Sequence, residues 1–232
     1  METQYQHVRV ERVGKVAHLT LNRPDILNAV HQAAANEVEA AARALAADPD
    51  IRLIAIRGAG RAFCTGIDLK ELAAGRIDMR YFRIWEDALR CFETMDKLVL
   101  CMIHGHAVGG GLQLAMACDI IGATNDASFG LPEPRRGLMA DAGGVHGLPR
   151  QLPIQPAMEL RLTGEFGSAL RGRARRPARA GGDGPLLEER PRRAPRGERA
   201  DLALGSLRLA DLASVGDEVH VEVQHPVRSD GP

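Results

Sequence analysis

Apolar residues in the first 170 positions recur at two periods that take turns along the chain. From Val16 to Leu21 apolar and polar residues alternate as in a strand, and Asn22-Arg23-Pro24-Asp25 ends the run with turn chemistry. From Asn28 to Ala47 the positions Val30, Ala34, Val38, Ala41 and Leu45 fall three or four apart among alanines, which predicts a helix stopped by Asp48-Pro49-Asp50. Ile51 to Arg57 reads as a second strand, Gly58 to Gly66 as a loop of small residues, and Ile67 to Leu72 as the opening of a short helix. Phe82, Trp85, Leu89, Phe92 and Met95 form the core-facing stripe of another helix. Leu98 to Ile103 is a third strand, His104 to Gly109 a turn, and Gly110 to Cys118 a short helix. A strand at Asp119 to Ala123, a loop at Phe129 to Arg136 and a helix from Gln155 to Leu162, closed by Thr163-Gly164, complete the series. Strands alternating with helices predict an α/β class.

Composition divides the chain near Ala169. All Phe, Tyr, Trp, Lys, Cys and Met residues lie before that point. Residues 171–200 hold ten Arg against four acids, with Leu186 and Leu187 as the only large apolar side chains, so they cannot build a core. The organisation expected is a core domain over 1–169, an Arg/Pro/Gly-rich segment over 170–200 and a short C-terminal segment over 201–232. Arg, Pro, Gly and Ala are what GC-rich codons yield out of frame, and a frameshifted end fits this composition better than a functional basic arm. In 201–232 the spacing of Leu202 to Leu212 and of Val219 to Val223 suggests a short amphipathic stretch and a short strand.

At 232 residues and 45% apolar, the chain can bury one sizeable core. Thirty basic and thirty acidic side chains leave no overall field for nucleic acid or an anionic membrane, and no sequence window reads as a leader or a membrane span. The four cysteines have no CxxC pairing, as expected of free thiols in a reduced, cytoplasmic setting.

In two units a buried strand runs through a glycine-containing turn into a helix: Ile51 to Arg57 with Thr65-Gly66-Ile67-Asp68, and Leu98 to Ile103 with Val108-Gly109-Gly110-Gly111. First-turn amides have no partner within their helix and attract anionic oxygen. Glycine lets a ligand approach the backbone. If the two turns converge, the amides of Ile67 and Gly110 grip one carbonyl oxygen and stabilise it as charge develops. Taken singly the turns are weak evidence, since structural glycine turns are common and neither a P-loop nor a dinucleotide fingerprint is present.

Leu21-Asn22-Arg23-Pro24 with Leu27-Asn28-Ala29, Arg61 to Lys70, Gly105 to Ala115, Cys118-Asp119 and Phe129-Gly130-Leu131-Pro132-Glu133 together resemble the enoyl-CoA hydratase/isomerase (crotonase) superfamily, in order and spacing, from about residue 5 to Ala169. The resemblance implies a ClpP/crotonase-like spiral of ββα units that binds an acyl-CoA thioester. It further implies trimers or trimer dimers, and no cofactor beyond the coenzyme A carried by the substrate. It places Ile67 and Gly110 in the oxyanion hole, with Gly66 and Gly109 beside them, and lays Arg23, Leu27, Asn28, Ala62 and the stretch Ile67, Asp68, Leu69, Lys70 along the coenzyme A.

The family's hydratases use two glutamates. One corresponds to Glu133; the other falls at Gln113, a neutral amide that orients water but exchanges no proton near neutrality. Moving a double bond needs only one base, so isomerisation with Glu133 as proton carrier is the preferred expectation. Asp141, eight residues on, stands where some dienoyl-CoA isomerases carry an aspartate; it reads equally well as a helix cap. Asp68 reads more simply as a cap than as a substrate contact. His104 and His106 lack metal-ligand spacing, and nothing beside Cys64 argues for an activating base, so no metal site or nucleophile is expected. A hydratase with water held by Gln113 is the alternative, and a CoA-binding relic without activity is a third reading, motivated by the unusual C-terminal composition.

Overall fold

The structure is a computed structural model that describes residues 5–168. The segments 170–200 and 201–232, with the short amphipathic stretch and strand expected in the latter, lie outside the described residues.

Strands β1 (Val8–Val13) and β2 (Val16–Leu21) form a hairpin around Gly14, followed by a 3-10 turn at Pro24–Ile26 and helix α1 (Gln32–Ala47). Next come β3 (Leu53–Gly58), the short α2 (Leu69–Ala73), α3 (Met79–Thr94) and β4 (Leu98–Ile103). The chain continues through β5 (His106–Val108), α4 (Gly110–Met116), β6 (Ile120–Ala123) and β7 (Ser128–Gly130), then a 3-10 turn at Glu133–Arg136, α5 (Gly144–Gln151), α6 (Ile154–Thr163) and β8 (Phe166–Ser168). The main sheet runs β1-β2-β3-β4-β6, parallel except for β1, and a second, smaller sheet runs β5-β7-β8.

One face of the main sheet offers Leu19, Ile54, Ile56, Val99 and Ile103 to the core shared with α1 and α3. The alternate residues Val16, Leu53, Ala55, Leu100 and Met102 form a separate buried cluster. Both faces of β2 are therefore buried, and its polar positions His18 and Thr20 are not solvent-facing as alternation alone would have them. A parallel sheet covered on both sides has this consequence. Burial lowers the His18 imidazole below its usual range, with Arg57 adding to the effect.

Several boundaries and elements differ from the expectations. Helix α1 starts at Gln32 rather than Asn28, because Leu27 and Asn28 take left-handed dihedrals and the His31 ring caps the helix by accepting from the Ala34 amide. The turn at His104–Gly109 contains β5, and the loop at Phe129–Arg136 begins inside β7 and includes a 3-10 turn. β1 and α5 were not anticipated. Two glycines and Pro149 within α5 give it a composition that local propensity does not read as helix.

Candidate active site

The two glycine turns meet because the chain between them is paired as backbone. The loop after β3 runs beside β5: the Phe63 amide donates to the His104 carbonyl, Cys64 to His106, and Val108 back to Cys64. Cys64 and Ala107 form a parallel bridge. This pairing carries Gly66 onto the start of α4, where a Cβ on Gly66 would stand 2.8 Å from the Gly110 nitrogen and 2.8 Å from the Val108 carbonyl oxygen. Gly66 also has φ +79°, a conformation that costs a residue with Cβ roughly 1 kcal/mol or more.

The orientation of the Ile67 amide follows from its neighbours. Val30 donates to the Gly66 carbonyl and accepts from the Asp68 amide, so Ile67 between them turns its own N–H away from Val30. Gly110 is the first residue of α4, and the first bond of that helix runs from the Gln113 amide to the Gly109 carbonyl. Neither the Ile67 nor the Gly110 amide has a hydrogen-bond partner among the described residues.

A third segment brings the carboxylate. β7 pairs in parallel with β5, and the Gly109 amide donates to the Gly130 carbonyl at 2.8 Å. Three residues further on, Glu133 stands with Oε1 3.1 Å from the place a Cβ on Gly109 would occupy. Its other oxygen is buried and has no hydrogen-bond partner among the described residues. Burial raises the Glu133 carboxyl above the ordinary glutamate range, and the nearby negative charge of Asp141 adds to the effect.

Gln113, on the buried side of α4, reaches toward α5, its Nε2 lying 3.3 Å from where a Gly144 Cβ would be. A cavity of about 740 Å³ opens between α3, α4 and residues 139–147, with Leu89, Gln113, Met116, Met139 and Asp141 among its walls. Glu133, Gly109 and Gly110 therefore cluster with Gly66, while Gln113 and Asp141 share the adjoining cavity wall. Asp141 is exposed and accepts from the neighbouring Ala142 amide. It does not cap α5, whose cap position is Gly143 in a left-handed conformation. The expectation of Asp141 as a helix cap is thereby corrected: its carboxylate accepts from the Ala142 amide, ahead of the helix, and α5 has no side-chain cap.

The residues expected along the coenzyme A divide by exposure. Asp68 caps α2 by accepting from the Lys70 and Glu71 amides, and it pairs with Arg23 at 3.2 Å. Leu69 and Lys70 are exposed on α2. Leu27 accepts from Thr65 through its carbonyl. Ala62 is fully buried, and the Asn28 amide group donates to the carbonyls of Ala59, Ala62 and Phe63 at 2.8–3.2 Å while its oxygen accepts from Arg23. Asn28 thus fastens the first turn to the loop that carries Gly66. Asn28→Ala is expected to lower stability by about 2–4 kcal/mol, because it strands buried backbone groups; urea unfolding would measure the loss.

Cys64 is buried, its thiol donates to the Asn28 carbonyl, and burial pushes it up to about 12, which leaves no thiolate for nucleophilic work. His104 contacts the Gly60 carbonyl at 2.8 Å, and His106 is exposed. Among the described residues no group of three His, Cys, Asp or Glu side chains could hold a metal ion, and no helix is long and apolar enough to cross a membrane. β7 was the functional element that sequence reasoning missed. At three residues it is too short to show alternation, yet it delivers Glu133.

Comparison with known proteins places these features in a wider group. The profile of the family described as enoyl-CoA hydratase/isomerase matches residues 11–170. The protein named "Probable enoyl-CoA hydratase echA8" of Mycobacterium bovis is 40% identical over 164 residues, 69% of this chain and 62% of that protein. The (E)-benzylidenesuccinyl-CoA hydratase of Thauera aromatica is 40% identical over 166 residues, 70% of this chain and 64% of that protein. Among solved structures, an enoyl-CoA hydratase from Bacillus anthracis superimposes with a TM-score of 0.68 at 31% identity, over 73% of this chain and 67% of the other. The match thus spans less than two thirds of the length of these two relatives.

Proposed function

The chain belongs to the enoyl-CoA hydratase/isomerase family, and on that premise we propose that it moves the double bond of an enoyl-CoA thioester, with Glu133 as the single proton carrier. The observation that carries this reading is the placement of a half-buried carboxylate, one oxygen unpartnered, beside the Gly109–Gly110 turn, while position 113 holds a neutral amide. In the proposed reaction the Glu133 carboxylate removes a proton from C2 of a 3-enoyl thioester. The electron pair moves toward the thioester oxygen, where the Ile67 and Gly110 amides stabilise the dienolate. The resulting carboxylic acid returns the proton at C4, leaving a 2,3 double bond and the original carboxylate. Burial, with the charge of Asp141 adding to it, holds the Glu133 proton affinity up, and coenzyme A enters only as part of the substrate. The trimeric or hexameric assembly implied by the resemblance belongs to this proposal as well.

Hydration is the second reading, favoured by the names of the relatives. In it Gln113 orients the water and Glu133 alone handles protons. The two separate in one assay. Isomerisation of a 3-enoyl-CoA creates the conjugated thioester absorbance, whereas hydration of crotonyl-CoA removes it. Rapid hydration with no isomerisation overturns the first reading. Absence of both activities, with acyl-CoA still bound, would leave the CoA-binding relic reading in place of either.

The raised Glu133 carboxyl gives a pH dependence with a defined sign. The base must be ionised, so kcat/KM falls as pH drops through a value above that of an ordinary glutamate. An acid limb at or below the ordinary glutamate range would contradict the assignment.

A further inference from the structure

Trp85 is the single tryptophan of the chain, and it lies on the buried face of α3 at 2% exposure. Its indole N–H is a donor with no acceptor capacity, and it has no hydrogen-bond partner among the described residues. A buried indole N–H usually finds an acceptor, and one left without it is destabilising. The position of this orphan is informative. A Cβ on Gly110 would have the Trp85 Nε1 as its nearest neighbour at 3.2 Å, with the Gly66 Cα next at 3.4 Å. The nitrogen, rather than a ring carbon, is therefore the point of the indole closest to where a Gly110 side chain would begin.

Direction matters as much as distance. In a helix the Cα–Cβ bond tilts toward the N-terminus, and the N–H bonds point the same way. An oxygen that accepts from the Gly110 amide, about 2.9 Å from its nitrogen, thus lies on the side of Gly110 that the indole edge borders. Among the described residues nothing accepts from this N–H, which leaves it free to donate to an oxygen that a ligand brings.

We propose that the Trp85 indole N–H is a third donor to the carbonyl oxygen of a bound acyl thioester, beside the Ile67 and Gly110 amides. The inference rests on the reading of those two amides as thioester donors and adds a side chain to them. The charge on that oxygen grows toward the enolate, so a donor aimed there strengthens in the transition state and acts on turnover more than on binding. Tyr81, one helical turn earlier and also buried, shares the face of α3 that bears Trp85.

The test uses the lone tryptophan as its own reporter. Butyryl-CoA has the thioester carbonyl but no double bond to move, and the thioether butyl-CoA lacks the carbonyl. Calorimetry with the full-length protein should find both bound, and only butyryl-CoA should shift the tryptophan emission. Equal emission changes with the two ligands would overturn the proposal while leaving the two-amide reading intact. If calorimetry finds neither ligand bound, the two-amide reading fails and this inference with it. In parallel, Trp85→Phe keeps an aromatic ring and removes the donor together with part of the ring volume, and the split between kcat and KM separates lost donation from loosened packing. The substitution should lower kcat about 10- to 100-fold with KM within about threefold. A kcat within threefold of the native value would refute the third donor.

Discussion

Glu133→Gln is expected to reduce turnover of an enoyl-CoA substrate by at least about 100-fold, with KM little changed. The substitution preserves shape and hydrogen-bonding size and removes only the capacity to take up and release a proton, for which general acid–base catalysis is worth about 100- to 10,000-fold. A loss of fold cannot be mistaken for this effect, because the linkage has a known sign. A carboxyl whose folded-state proton affinity is raised contributes stability below its unfolded pKa, and that contribution is lost as pH rises through the folded value. At neutral pH the native protein therefore carries the cost of a half-buried anion that the glutamine variant does not. Thermal unfolding from pH 5 to pH 8 should find the variant at least as stable as the native chain at the upper end, with the difference narrowing toward acid. Activity within threefold of native would remove Glu133 from the chemistry.

Gly66→Ala is the second substitution with a large effect, and it acts on the amides rather than on the base. The new methyl group would meet the Gly110 nitrogen and the Val108 carbonyl oxygen, both at 2.8 Å. These are backbone atoms, which cannot swing aside as a side chain can. The start of α4 must shift, and with it the Gly110 amide. Removing one donor from an oxyanion site costs about 100- to 1,000-fold in turnover, and a displaced donor should approach the lower figure. The left-handed φ adds strain, for a total loss of stability of about 1–3 kcal/mol. Gly75→Ala separates the two contributions. Gly75 has φ +68° but open space where the methyl would go, so it should lose about 1 kcal/mol and keep its activity. If Gly66→Ala turns over substrate as Gly75→Ala does, the close contact at α4 is irrelevant to catalysis.

The main sheet was legible because β2, β3 and β4 are each six residues long and bounded by turn residues. Their period and punctuation are local properties. The glycine turns were legible for the same reason, and their convergence was conditional on contacts between distant segments. What the pattern could not reveal was the small sheet that joins them. β5, β7 and β8 have three residues each, and what holds them is pairing with one another rather than any preference of Ser128-Phe129-Gly130 for a strand. The role of Asn28 was hidden similarly. Three carbonyls from residues more than thirty positions away converge on its amide, and only the fold brings them there. Trp85 read as core, which its burial supports; its unpartnered nitrogen is a property of the packed structure alone.

The pairing of the 63–64 loop with β5, and of β5 with β7, also bears on how the protein becomes active. These links join segments far apart in sequence, so they close loops whose entropy must be met before any contact rewards it. The helices, by contrast, form from contacts a few residues apart. A refolding chain should accordingly regain far-ultraviolet circular dichroism before it regains turnover, passing through a compact species that has its helices and lacks its chemistry.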